Sequence, residues 1–153
     1  MASGTSPALL HLDDLAVGQE FLSGEHLIDE EQIIAFATRF DPQPFHTDPE
    51  AARGSFFQGL AASGWHTMAL TMNLLVKSLP FAQGVIGAGG EISWPRPTRP
   101  GDVLRVRSRI LEITPSRSRP DRGIVLTRSL TFNQKDETLQ ELTAKLLAFR
   151  REA

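Results

Sequence analysis

The order of apolar segments predicts an α+β fold in which one long central helix is wrapped by an antiparallel sheet of about five strands. Two observations carry this reading. The stretch from Ala62 to Leu79 is apolar nearly all round (Met68, Ala69, Leu70, Met72, Leu74, Leu75, Val76), as a buried helix is. Everything after it has the pattern of strands, and the βαβ alternation that builds a doubly wound sheet is absent.

The elements follow in order. An extended segment, Gln19 to Ile28, leads to Asp29, with Gln32 three residues on, a capping-box-like helix start. Ile33, Phe36, Ala37 and Phe40 then supply one apolar helical face. Pro42 and Pro44 end that helix and impose an extended stretch. Asp48-Pro49-Glu50 starts a short helix, with Asp48 as its cap. Pro80 stops the long helix. Strands are expected at Gly90–Trp94, Val103–Ile113, Gly123–Phe132 and Leu139–Phe149. In the second, Arg105, Arg107 and Arg109 alternate with Leu104 and Val106, giving one wet face. Gly84, Gly87, Gly89 and Gly90 precede a strand and do not spell a nucleotide-binding loop.

The 153 residues fit one domain, from Leu9 to Ala153, after a flexible start over Met1–Ala8 that lacks the basic region of a signal peptide. Cysteine is absent, which removes disulfides, thiolate metal sites and cysteine nucleophiles and suits a cytoplasmic protein. No segment reads as a membrane span. The net charge of −2 is too near neutral for a nucleic-acid footprint. It conceals an asymmetry: residues 1–90 carry −7 and residues 91–153 carry +5. The basic half, with Arg117, Arg119 and Arg122 in one loop, is either a set of solvated strand faces or a seat for a phosphate-bearing ligand.

Two segments bear chemistry. In Phe40-Asp41-Pro42-Gln43-Pro44-Phe45-His46 a carboxylate and an imidazole lie five apart on a chain stiffened by two prolines. Such a loop can aim both at one small volume as an acid–base pair. Equally, Asp41 can cap a turn while His46 packs. In Ala62-Ser63-Gly64-Trp65-His66 the long helix begins, where backbone N–H groups lack partners and the helix dipole favours negative charge. Gly64 there is an oxyanion donor or a packing glycine. Asp48 is accounted for as a cap and His66 as a satisfied core histidine. No two histidines have metal-ligand spacing, so no metal is expected.

At these residues the chain resembles the MaoC-like dehydratases and (R)-specific enoyl-CoA hydratases. Asp41, Pro44, His46 and Ala52 fall on that family's hydratase signature, D-x-N-P-x-H and its closing small residue. Ser63-Gly64 stands at its His-Gly pair, and Trp94-Pro95-Arg96-Pro97-Thr98-Arg99-Pro100-Gly101-Asp102 is similar to its turn before a strand. Phe40, Gln43 and Ser63 depart from the pattern, where the family has Gly, Asn and His. The resemblance implies a hot-dog fold, usually a homodimer, and a hydro-lyase of fatty acid metabolism that adds water reversibly to a trans-2-enoyl thioester. Asp41 and His46 would hold the water and divide the proton steps, Asp41 as base and His46 as acid. Gly64, with Ser63 beside it, would bind the thioester oxygen. Coenzyme A would be the carrier of the substrate, with no bound cofactor. The rivals are a hot-dog thioesterase and a non-catalytic acyl-CoA-binding domain. The absence of Asp and Glu from Leu60 to Leu79 opposes the first.

Overall fold

A computed structural model describes residues 8–152; apart from Ala8, the start expected to be flexible lies outside the described residues. The chain forms strands β1 (Glu20–Leu22) and β2 (His26–Leu27), helices α1 (Glu30–Phe40), α2 (Pro44–Thr47), α3 (Pro49–Arg53) and α4 (Gly64–Ser78), then strands β3 (Ile86–Ser93), β4 (Val103–Pro115), β5 (Arg122–Phe132) and β6 (Thr138–Phe149). The strands make one six-stranded sheet in the order β1-β4-β5-β6-β3, with β2 also on β4, and every pairing is antiparallel. The hot-dog architecture is therefore present, with one strand more than the five expected. The extra strand arises because the segment before α1 breaks at Ser23, whose Oγ accepts from Val106 N at 2.8 Å.

Pattern explains the core. Leu104, Val106 and Ile110 of β4 alternate inward with Val125 of β5 and with Leu139 and Leu146 of β6, and Leu74 and Leu75 of α4, with Leu79 just after it, pack on them. A smaller cluster of Ile28, Ile33, Ala52, Leu60 and Ala62 fastens α1 and α3 to the start of α4. Caps set the helix starts: Asp29 accepts from Gln32 N at 2.9 Å, Asp48 from Glu50 N at 3.0 Å and Ser63 from Trp65 N at 3.3 Å.

Four expectations are corrected. First, α4 is not buried all round. Trp65, Ala69, Met72 and Val76, spaced along one face, are exposed, so the apolar sequence covers a surface as well as a core. Second, Phe40 is exposed, because the last turn of α1 extends beyond the core that buries Ile33 and Ala37. Third, the prolines do not leave residues 42–47 extended. Pro44 occupies the first turn of α2, where its missing N–H costs nothing, and His46 rides on that turn. Fourth, β3 begins four residues early, at Ile86, and so takes in Gly87 and Gly89 as well as Gly90. Gly90 lies so close to β6 that a Cβ there would stand 2.4 Å from Thr143 O, so a strand can run there only without a side chain.

Candidate active site

The approach to α4, the α1–α2 corner and the turn before β4 meet at one end of the sheet. Asp41 caps the C-terminus of α1, its N–H donating to Ala37 O at 2.8 Å, and Pro42 prevents the helix from continuing. Two residues later α2 begins and turns His46 inward, where it is 5% exposed. Its Nε2 lies 3.3 Å from Asp41 Oδ2. Its Nδ1 lies 2.6 Å from Ala61 O, and a carbonyl can only accept, so Nδ1 carries a hydrogen. The tautomer is thereby fixed with Nε2 toward Asp41.

Burial works to raise the Asp41 pKa. Hydrogen bonds from Gln43 and from Ser63, and the neighbouring His46, outweigh it and hold the carboxyl below its usual range. Asp41 is then an ionised acceptor at neutral pH. Gln43 Nε2 donates to its Oδ1 at 2.5 Å. Gln43 thus supplies an amide, as the asparagine of the signature would, two residues after the aspartate. Ser63 is fully buried and serves both as helix cap and as partner of Asp41.

A cavity of about 600 Å³ opens beside this pair, walled by His46, Phe57, Gly64, Thr67, Trp94 and Arg99 among others. Asp41 is not on its wall and stands beyond His46, with a side chain that keeps 19% of its exposure. The Gly64 N–H, in the first turn of α4, meets no acceptor among the described residues. Gly64 has a second property that the sequence hides: a Cβ on it would lie 2.7 Å from the Trp94 ring. That indole is held in place, since its Nε1 donates to Gln140 Oε1 at 2.9 Å. Buried Gln140 in turn donates to Thr71 Oγ1, and Thr71 bonds Thr131.

Other sequence candidates fall elsewhere. His66 is a core histidine but not a satisfied one: its buried Nδ1 has no partner among the described residues, and its ring stacks on Phe36 at 4.5 Å. Desolvation pushes its pKa down to about 4. Arg117, Arg119 and Arg122 lie beyond the far end of the thirteen-residue β4, ~40 Å at strand spacing from the turn that walls the cavity, and Arg122 is paired with Asp121. They cannot serve the cavity of their own chain. Among the described residues no three His, Asp or Glu side chains converge as metal ligands would. Ala61 O, Gln43, Trp94 and Arg99 escaped sequence reasoning as site residues. Only Gln43 had a local signal, its spacing from Asp41.

Residues 14–130 match the MaoC-like domain family. A crystal structure of a MaoC-like dehydratase from Rhodospirillum rubrum superposes with a TM-score of 0.93 at 61% identity, covering 94% of this chain and 99% of that one. The (R)-hydratase PhaJ1 of Pseudomonas aeruginosa superposes at 0.74 with 28% identity, over 92% of this chain and 86% of its own. In sequence, the uncharacterized protein YdeM of Bacillus subtilis (strain 168) is 32% identical over 130 residues, which is 83% of this chain and 90% of that protein.

Proposed function

The chain belongs to the MaoC-like dehydratase family, and from that premise we propose that it hydrates a trans-2-enoyl coenzyme A thioester reversibly to the 3-hydroxyacyl thioester. A hydratase or dehydratase role is what the family supports; the thioester, the coenzyme A carrier and the residue roles are this proposal. The observation that carries it is the 3.3 Å approach of His46 Nε2 to Asp41 Oδ2 beside a cavity that Gly64, whose N–H meets no acceptor among the described residues, helps to wall.

Water bound between Asp41 Oδ2 and His46 Nε2 attacks Cβ, and its departing proton goes to Asp41. The C=C electrons shift toward the thioester, whose oxygen takes on enolate charge against the Gly64 N–H. As the enolate collapses, Cα receives the Nε2 proton of His46, which enters the step as an imidazolium with a hydrogen on each nitrogen and leaves it as the neutral Nδ1–H form. Asp41 then returns its proton to Nε2, and both groups are reset. Fixing Nδ1–H on Ala61 O keeps Nε2 as the atom that exchanges protons. Ser63 and Gln43 hold the carboxylate in place. No bound cofactor is part of this scheme.

The assembly proposed is a homodimer in the cytoplasm. Trp65, Met72 and Val76 form an apolar strip beside the exposed edge strand β3, and an edge of this kind pairs readily with a second copy. Among the described residues no helix is long and apolar enough to cross a membrane.

The test is incubation with crotonyl-CoA and, separately, butyryl-CoA. Loss of the enoyl absorbance with crotonyl-CoA is expected. Release of free thiol from both would instead favour a thioesterase, and no reaction with either would reject catalysis on short acyl thioesters.

A further inference from the structure

We infer that Arg99 is a positioning residue for His46, acting through the loop that carries the Ala61 carbonyl. This rests on the reading of His46 as a proton-transfer group. The loop from Phe57 to Leu60 is an awkward path: Gln58 adopts φ 55° and Gly59 φ 153°, so a non-glycine residue sits in the left-handed region. Residues in such conformations persist where surrounding structure over-determines them. The N–H groups of Gln58 and Gly59 are held by Ser55 O at 3.0 Å and Ala52 O at 2.9 Å, and the carbonyl side of the loop is held by one side chain. The Arg99 guanidinium donates to Phe57 O at 2.5 Å, to Gly59 O at 2.9 Å and to Leu60 O at 3.3 Å. Those carbonyls bracket the two unusual residues.

Arg99 is itself tethered. Its backbone N–H donates to Asp102 Oδ2 at 2.8 Å, and Gln134 donates to the other oxygen of that carboxylate. Asp102 is buried, yet it meets the backbone of Arg99 and not its guanidinium. Among the described residues no carboxylate pairs with that guanidinium, and its charge is spent on carbonyl dipoles. A planar fork can bind three diverging carbonyls at once, which a lysine ammonium on its single stem does poorly.

The loop then leads directly into the site. Ala61 N donates to Phe45 O at 3.1 Å, and Ala61 O receives His46 Nδ1. The Phe57 ring, whose own carbonyl Arg99 holds, packs 5.1 Å from Phe45 and 5.9 Å from His46. Releasing the loop would therefore free both the acceptor that fixes the His46 tautomer and a ring that braces it. Arg99 acts on the imidazole without touching it.

Arg99→Met and Arg99→Lys, in the full chain, test this with two readouts. The first is the ¹⁵N signature of the His46 ring, assigned by comparison with a His46→Ala sample. Wild type should show a single Nδ1–H tautomer below full protonation, and Arg99→Met a mixture. The second is crotonyl-CoA hydration, where kcat should fall about 10²-fold in Arg99→Met, the scale of a small misplacement of a reacting group, with KM little changed. Arg99→Lys should lie between, and it carries the test if Arg99→Met does not fold. An unchanged ring signature would overturn the proposal, because the loop would then hold itself. A raised KM with kcat intact would overturn it too, making Arg99 a substrate contact. If wild type hydrates nothing, the proposed reaction fails, while the tautomer comparison still decides the role of Arg99.

Discussion

Two histidines of this chain are almost equally hidden, His46 at 5% exposure and His66 at 6%, and they are chemically unlike. Both rings touch phenylalanine: His46 meets Phe45 edge-on and His66 stacks flat on Phe36. The difference lies in what their nitrogens meet. His46 has a carbonyl on one side and a carboxylate on the other, so each of its nitrogens has an assigned partner. His66 has a buried nitrogen with no partner among the described residues, and its charged form is penalised accordingly. Burial does not make a histidine functional. Partners do, and each partner of His46 comes from a different segment of chain.

The sharpest way to break this contrast is to remove each ring. Asp41→Ala and His46→Ala should each lower turnover about 10²–10⁴-fold, the range for positioned acid–base groups, with an unchanged fold by circular dichroism. His66→Phe should leave turnover near wild type. A large loss in His66→Phe, or a small one in both site variants, would dissolve the distinction between the two histidines.

The next largest effect concerns Gly64, where Gly64→Ala alone is a poor control because the added methyl meets the Trp94 ring. In a Trp94→Ala background that obstacle is gone. There Gly64→Pro, which deletes the N–H at a helical position that tolerates proline, should turn over about 10²–10³-fold more slowly than Gly64→Ala. Equal rates for the pair would make Gly64 a packing glycine.

The smallest effect is one of stability against pH. The folded-state pKa of His66, about 4, lies below its ordinary value of 6.5, so the unfolded chain binds the proton more readily. The resulting stability is present above pH 6.5 and is lost as pH falls toward 4. Linkage gives about 2 kcal/mol between pH 7 and pH 5, seen as a lower urea midpoint. His66→Phe should flatten that slope. The lowered pKa of Asp41 acts in a separate window, since its contribution is lost only below the ordinary carboxylate value of 3.8.

Local rules made much of this molecule readable. Caps at Asp29 and Asp48, the alternation in β4 and the Asp41–His46 spacing are all short-range signals, and each corresponds to a feature of the structure. What stayed hidden depends on contacts between distant segments. Gly87 and Gly89 looked like residues before the strand because what makes them strand is their pairing with Leu146 and Lys145 of β6. His66 looked satisfied because a sequence does not disclose that its nitrogen lacks a partner. Arg99 looked like one residue of a turn, since the carbonyls it grips lie some forty positions earlier. The apolar face of α4 looked like core because an apolar side chain on an exposed face and one facing a sheet read alike.

The placement of Trp94 has an optical consequence. The chain contains two tryptophans and no tyrosine, so light absorbed near 295 nm enters Trp65 and Trp94 alone. The two rings meet edge to face with centroids 5.6 Å apart, one against Gly64 at the cavity wall and the other on the exposed strip of α4. Their emission would therefore respond to a ligand entering the cavity and to any surface that covers the strip. Trp94→Phe and Trp65→Phe would separate those signals, and the protein carries its own probe of each without a label.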